Sequence, residues 1–349
     1  MATSGTYGET SFPIITLIEE AHRLCKIPPQ AITGEILDTA RRHLYLMFTR
    51  WGNQQNLWTV GKAIIPQQIG KRVYDLPAGV LDIRTVLRRE LVLSGGTSAT
   101  SSAGGTVTNA FDQDLDTVLT QTSADGNVSV DFGSEVYVTT VGICTNGART
   151  YNLVWEFSED NSTWTTVLAT GSVAYTDREF AYYDITAPRG GRYFRVRETG
   201  GGTLNVRQIV FGRSPSEVSV TLQNRDDYYD QPDKTLRSDP TMFWYDKQIT
   251  PRIWVWPAPA SDMKSLVVWY TRNIEDPGAF SNDMAIPKRW YEAALYGLAV
   301  RVARVHPGVD PGILQDLKME ADMALADARG ADTDGSDFMI TPNIGVYTR

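Results

Sequence analysis

Between Gly126 and Gly212 the chain is cut into seven short runs, GNVSVDFG, VYVTTVGICT, YNLVWEFSED, WTTVLA, FAYYDIT, RYFRVRET and LNVRQIVFG, parted by Gly, Asn, Asp and Ser. Val, Ile, Tyr, Phe and Trp fill them, and turn residues recur at roughly regular spacing. Such a block folds naturally only as an all-β sandwich or jelly roll. It is also foreign to its surroundings. It has no lysine, although its flanks use both Lys and Arg, and together with the stretch from residue 92 it carries about six of the eight formal negative charges.

Helical periodicity lies at the two ends of the chain. Ile14, Leu17, Ile18, Ala21, Leu24 and Cys25 share one face before Pro28 and Pro29 stop the run. Leu37, Ala40, Leu44, Met47, Phe48 and Trp51 form a second stripe, with Thr33 as N-cap and Gly52 as terminator. Pro287 opens a third, in which Trp290, Ala294, Leu298 and Val302 share a face, and Asp310 caps a fourth with Pro311 in its first turn. The spacing predicts helices over about 13–26, 33–52, 287–305 and 311–329, and strands over about 57–91 and 217–272.

The fold class expected is therefore α+β and multidomain. A helical bundle plus a small β-domain makes a discontinuous frame, residues 1–91 and 213–349, and an all-β jelly-roll sandwich, residues 92–212, is inserted into it. Residues 94–106, rich in Ser, Gly, Thr and Ala, read as the hinge of departure, with the return crossing beside it near Gly212. The last stretch, 330–349, is too broken by Gly, Asp and Pro to continue a helix and reads as an extended tail.

No run of about 18 apolar residues is present to span a bilayer. The N-terminal MATSGTYGETSF lacks the basic and apolar regions of a secretory signal, and Cys25 and Cys144 do not make a disulfide framework, so a reducing compartment is expected. A net charge of −8 argues against a surface that grips duplex DNA.

Catalytic parts are missing from the pattern, and no enzyme is expected. His22, His43 and His306 are the only histidines, and none stands three or four residues from another, so they read as ordinary helix residues. Glu156, Glu159 and Asp160 are the densest carboxylates, but SEDNST reads as a hairpin turn whose polar groups serve the backbone. Asp112, Asp114 and Thr117 place oxygens on alternate positions of a loop. That suits a hard cation such as calcium, and equally an Asx-turn closing the sandwich without metal.

The motifs AFDQDLDT, Asp131 to Gly133, Ser158 to Trp164 and Arg192 to Val196 stand in an order that resembles the discoidin, or coagulation-factor type C, family, over about residues 100–212. That family includes galactose-binding carbohydrate modules. The resemblance implies an eight-stranded jelly roll and a structural calcium at Asp112, Asp114 and Thr117. Two positions depart from the pattern. Gln113 replaces a Gly in the loop, and Gln208 stands where the last strand commonly offers a Glu ligand. Sugar contacts in the family lie on variable loops, so no sugar-binding residue carries over.

With the block removed, the frame resembles the head-to-tail adaptors (the gatekeeper or tail-tube-A group) of short-tailed bacteriophages. Its most telling parts are Ile253 to Pro259 and the I-P-x-x-W opening at Ile286 to Trp290. The resemblance implies a virion protein forming a ring, usually of about twelve copies. The ring would sit below a portal protein, pass genomic DNA through its bore without specific binding, and carry a nozzle or tube protein and a fibre or spike. It also implies that Phe338, Met339, Ile340, Ile344, Val346 and Tyr347 dock the tail onto the portal. The alternative is a carbohydrate-binding adhesin or fibre-docking component acting mainly through the jelly roll on a host glycan.

Overall fold

A computed structural model describes residues 13–54, 57–93, 98–276 and 278–332. In chain order the elements are α1 (Ile14–Leu24), α2 (Gly34–Gly52), β1 (Val60–Pro66), β2 (Val73–Asp75) and β3 (Val80–Leu93). Then come β4 (Ser98–Ser101), β5 (Leu119–Thr120), β6 (Asn127–Thr145), β7 (Arg149–Ser158), β8 (Thr165–Tyr175), β9 (Phe180–Glu198) and β10 (Asn205–Gln223). The series ends with α3 (Arg225–Tyr229), β11 (Met242–Asp246), β12 (Arg252–Trp256), β13 (Lys264–Arg272), α4 (Tyr291–Val305) and α5 (Pro311–Gly330).

These elements form two compact units. One is helical, from the described parts of Met1–Gly61, Gly79–Asp82 and Thr271–Arg349; the other, Lys62–Ala78 with Ile83–Tyr270, is almost wholly β. The protein is thus mixed α+β with a large β-sandwich. The units do not divide at residues 92 and 212, because the flanking strands fold with the sandwich.

In the helical unit the expected stripes face one core. Ile14, Leu17, Ile18 and Ala21 of α1 meet Leu44, Met47, Phe48 and Trp51 of α2 and Ala294, Leu298 and Ala299 of α4, all buried. Trp290 is wholly buried, with its ring 5.2 Å from that of Trp51 and 5.9 Å from that of Trp58. Helices α2 and α4 approach closely because a Cβ on Gly297 would lie 2.7 Å from Met47 Sδ. Gly52 serves the same end. It is the last residue of α2, and a Cβ there would lie 2.5 Å from Asn273 Oδ1, so the absent side chain makes room for packing as the helix ends. Pro287 precedes a short 3₁₀ turn, Lys288–Trp290, and the α-helix begins at Tyr291. No helix among the described residues is long and apolar enough to cross a membrane.

In the β unit one path of hydrogen-bonded strands runs β1-β13-β3-β10-β6-β9-β7-β8. Strand β10 is the joint. Its first half pairs with β6, from Val206 against Thr145 to Gly212 against Thr140. Its second half pairs with β3, from Ser216 against Glu90 to Val220 against Val86. The outgoing and returning strands therefore lie side by side, with Leu93 opposite Gly212. Residues 98–101, read above as part of a hinge, are the edge strand β4, paired with β6 from Ser98 against Asp131 to Ser101 against Val128. Small Ser and Thr side chains suit this exposed edge, where Thr100 and Ser129 hydroxyls lie 2.7 Å apart.

Alternate residues of these strands build the sandwich core. Val128, Val130, Phe132, Leu153, Trp155, Phe194, Val196, Ile209 and Phe211 point inward, and the Trp155 and Phe211 rings meet edge to face at 5.4 Å. The opposite face of β6, β9 and β10 is covered too. There Cys144, Phe180, Tyr182 and Val210 pack with Ile64, Leu115 and Met263. Cys25 and Cys144 are free thiols, and burial pushes them up to about 11 and about 12, which leaves both unreactive.

Candidate functional site

The acidic loop follows a 3₁₀ turn at Val107–Ala110. Asp112 Oδ1 accepts the Asp114 N–H at 2.9 Å, and Asp114 Oδ1 accepts the Asp116 N–H at 2.8 Å. The Thr117 hydroxyl donates to Asp112 Oδ2 at 2.7 Å. These are successive Asx-turns. Gln113 sits at φ 63, a left-handed backbone that favours glycine, and its N–H donates at 3.1 Å to Oε1 of the buried Gln208. The two departures from the discoidin pattern thus meet each other.

Asp112, Asp114, Thr117 and Gln208 are brought together, yet they do not fit a calcium cage. Such a cage needs six to eight oxygens with enough carboxylate charge. Here both Asp112 oxygens and the Gln208 carbonyl oxygen already accept hydrogen bonds from the loop. Among the described residues no group of three or more His, Cys, Asp or Glu is arranged to hold a metal.

Around this loop the fold gathers residues that sequence reasoning missed. Arg207 on β10 donates to the Leu115 carbonyl and to Asn146 Oδ1, each at 2.7 Å, and lies 3.5 Å from Asp177. Asp177 accepts the Gly147 N–H at 2.7 Å, which holds its carboxyl below the usual range. Arg178, at φ 59, donates to Asp116 at 2.5 Å, and this bond likewise depresses Asp116. Asn146 donates onward to Asn205 at 3.1 Å. Three loops are tied together by the half-buried Arg207, while Asp116, Asp177 and Arg178 stay exposed at 79%, 47% and 49%. Adjacent exposed donors and acceptors on a rigid base can pair with the vicinal hydroxyls of a sugar.

The remaining candidates have other roles. Glu156 is buried and accepts from Arg195 at 2.6 Å, with Arg195 in turn lying under the Trp164 ring at 4.0 Å. Asp160 accepts from the Ser162 hydroxyl and from the Thr163 and Ser162 amides, which hold it far below the carboxylate range. It closes the hairpin, as its turn context implies. Phe338, Met339, Ile340, Ile344, Val346 and Tyr347 lie outside the described residues.

Comparison with known proteins bears on the sandwich alone. The family model described as the F5/8 type C domain matches residues 95–209. No curated protein matches the chain. Among solved structures, the chain is similar to the CBM32 of AlyQ in complex with 4,5-unsaturated mannuronic acid, at 18% identity over 34% of this chain and 97% of that one, with a TM-score of 0.31. It is similar also to CpGH89CBM32-5 of Clostridium perfringens, in complex with GalNAc-β-1,3-galactose, at 11% over 35% and 99% with a TM-score of 0.32. A third is the family 32 CBM of C. perfringens NanJ, in complex with galactose, at 12% over 36% and 99% with a TM-score of 0.31. The chain therefore contains a discoidin-like, F5/8 type C domain of jelly-roll form within a larger α+β protein.

Proposed function

We propose that this protein is a non-catalytic carbohydrate-binding component whose F5/8 type C domain engages a glycan, while the flanking strands of the β unit hold that domain in place. The observation that carries this reading is the match of the family across residues 95–209, joined to an exposed cluster of donors and acceptors at Asp116, Asp177 and Arg178. A glycan array probed with the whole chain tests it. Selective binding that Arg178→Ala weakens at least tenfold is expected, and silence across neutral and acidic glycans would sink it.

A second reading, the ring-forming connector of a phage virion, draws support from the helical unit. Tyr45 and Leu46 of α2, Val305 of α4, and Met319 and Met323 of α5 are 43% to 58% exposed, apolar side chains available for contacts with neighbouring copies. Co-sedimentation with a purified portal ring at fixed stoichiometry tests this reading, and removal of residues 333–349 is expected to abolish it. A chain that stays monomeric at all concentrations and ignores the portal would end it.

A further inference from the structure

The loop from Asp112 to Thr117 needs positive charge and fixed partners for its oxygens, and this chain meets both needs from its own residues. Asp112, Asp114 and Asp116 stand on alternate positions. Two arginines from distant parts of the chain close on them: Arg207 donates to the Leu115 carbonyl at 2.7 Å, and Arg178 donates to Asp116 at 2.5 Å. A divalent cation in this loop would meet two guanidinium charges already fixed to it.

The backbone of the loop is held by an amide. Gln113, at φ 63, donates its N–H at 3.1 Å to Oε1 of Gln208, which is 1% exposed. Neighbouring residues of a strand ordinarily point to opposite faces, yet Arg207 and Gln208 both reach this loop. The pairing of β10 with β6 explains it, because its register shifts between Val206 and Gln208, and a bulge of that kind re-aims side chains.

Calcium takes six to eight oxygens, and its affinity follows the carboxylate charge they carry. Position 208 offers one neutral amide oxygen where a glutamate would offer two charged ones. That oxygen and both oxygens of Asp112 already accept from Gln113, Asp114 and Thr117, so a cation would compete with the bonds that shape the loop. We propose that the F5/8 type C domain of this protein is locked without calcium. The Gln113–Gln208 hydrogen bond fixes the loop to β10, Arg207 and Arg178 supply the positive charge, and residue 208 decides between this lock and a metal.

Titration of the chelator-treated full chain with calcium chloride tests the proposal. No saturable binding is expected up to about 1 mM, the weak end for calcium modules, and thermal melts in calcium and in EGTA should coincide. Gln208→Glu returns a buried carboxylate to the loop. It should melt lower than the parent in EGTA, bind calcium with a dissociation constant below about 1 mM, and regain stability as calcium is added. A parent chain that binds calcium in this range or melts lower in EGTA overturns the proposal, as does a folded Gln208→Glu that takes no calcium. Should that variant fail to fold, Gln208→Leu decides. Without the accepting oxygen it should melt below the parent by the same amount in calcium and in EGTA, and a melt equal to the parent's overturns the lock.

Discussion

The two units hold themselves together by different means. In the helical unit the interior is apolar packing around Trp290, and its ion pairs are isolated ones: Arg23 with Glu20 and Arg41 with Asp38 are exposed, while Arg289 reaches the buried Asp332 at 2.7 Å. Exposed pairs of that kind contribute about 0–1 kcal/mol. The β unit has a packed core as well, but it adds a charge network where the sandwich meets its flanking strands. Arg89 on β3, only 4% exposed, reaches Glu217 on β10 and Asp184 on β9 at 2.6 Å each, and Lys62 on β1 reaches Asp184 at 2.5 Å. Packing tolerates small slips, whereas a buried guanidinium with fixed partners accepts few geometries. The sandwich is therefore fixed to its flanking strands in one defined arrangement rather than swung on a hinge.

The helical unit depends most on one buried ring. Trp290→Ala should cost about 3–5 kcal/mol, since a fully buried ring packed on Trp51 and Trp58 is lost. Hydrogen exchange should show amides of α1, α2, α4 and α5 opening while those of β7 and β9 keep their protection. Equal loss in both units would mean that they unfold as one and would break the comparison.

On the β side, Arg89→Met leaves two carboxylates without their shared cation. A fully buried pair broken this way costs about 3–5 kcal/mol, and a surface pair about 0–1. Asp184 and Glu217 are 35% and 31% exposed, so about 2 kcal/mol is expected from urea denaturation. Arg89→Lys should recover only part of it, because one ammonium cannot reproduce both sets of guanidinium contacts. A loss under about 0.5 kcal/mol would place the network with ordinary surface pairs.

Legibility in the sequence followed the range of the interactions. Large apolar residues at helical spacing placed α1, α2, α4 and α5 within a few residues of their ends, because that signal is local. The sandwich was readable from its rhythm, and the Asx-turn at Asp112 was one of two readings its spacing allowed. Composition misled at 98–101, where Ser, Ala and Thr described a compliant backbone but not the edge of β6 that it pairs with. Thr33 stands at the N-cap of α2, yet its side chain makes no capping bond. Arg178 and Arg207 could not be read as one cluster with the acidic loop, since their partners Asp116 and Leu115 lie 62 and 92 residues away.

Acid should separate the units next. Burial raises the Asp184 carboxyl, but hydrogen bonds and charge from Lys62 and Arg89 outweigh it and hold the group below its ordinary value. A depressed folded-state pKa means that the unfolded chain binds the proton more readily, so this stabilisation is present above the unfolded value of about 3.9 and is lost as pH falls through the folded one. Denaturation midpoints of the β unit should therefore drop below about pH 4. In Arg89→Met that drop should shrink, and an unchanged acid profile would remove Asp184 from the explanation.

The smallest contrast is between two helix caps, one in each unit. Asp310 accepts the Gly312 N–H at 2.7 Å at the start of the twenty-residue α5, and its charge also meets the positive end of the helix dipole. Asn224 accepts the Asp227 N–H at 2.8 Å at the start of α3, which has five residues. Helix α3 has a second anchor, because Tyr228 is 1% exposed and lies against the rings of Trp244 and Trp254. Asp310→Ala should therefore cost about 1 kcal/mol and Asn224→Ala about 0.5 kcal/mol, the low end of the capping range. Hydrogen exchange in the first turn of each helix measures both, and a larger loss at Asn224 would mean that α3 depends on its cap and not on its buried tyrosine.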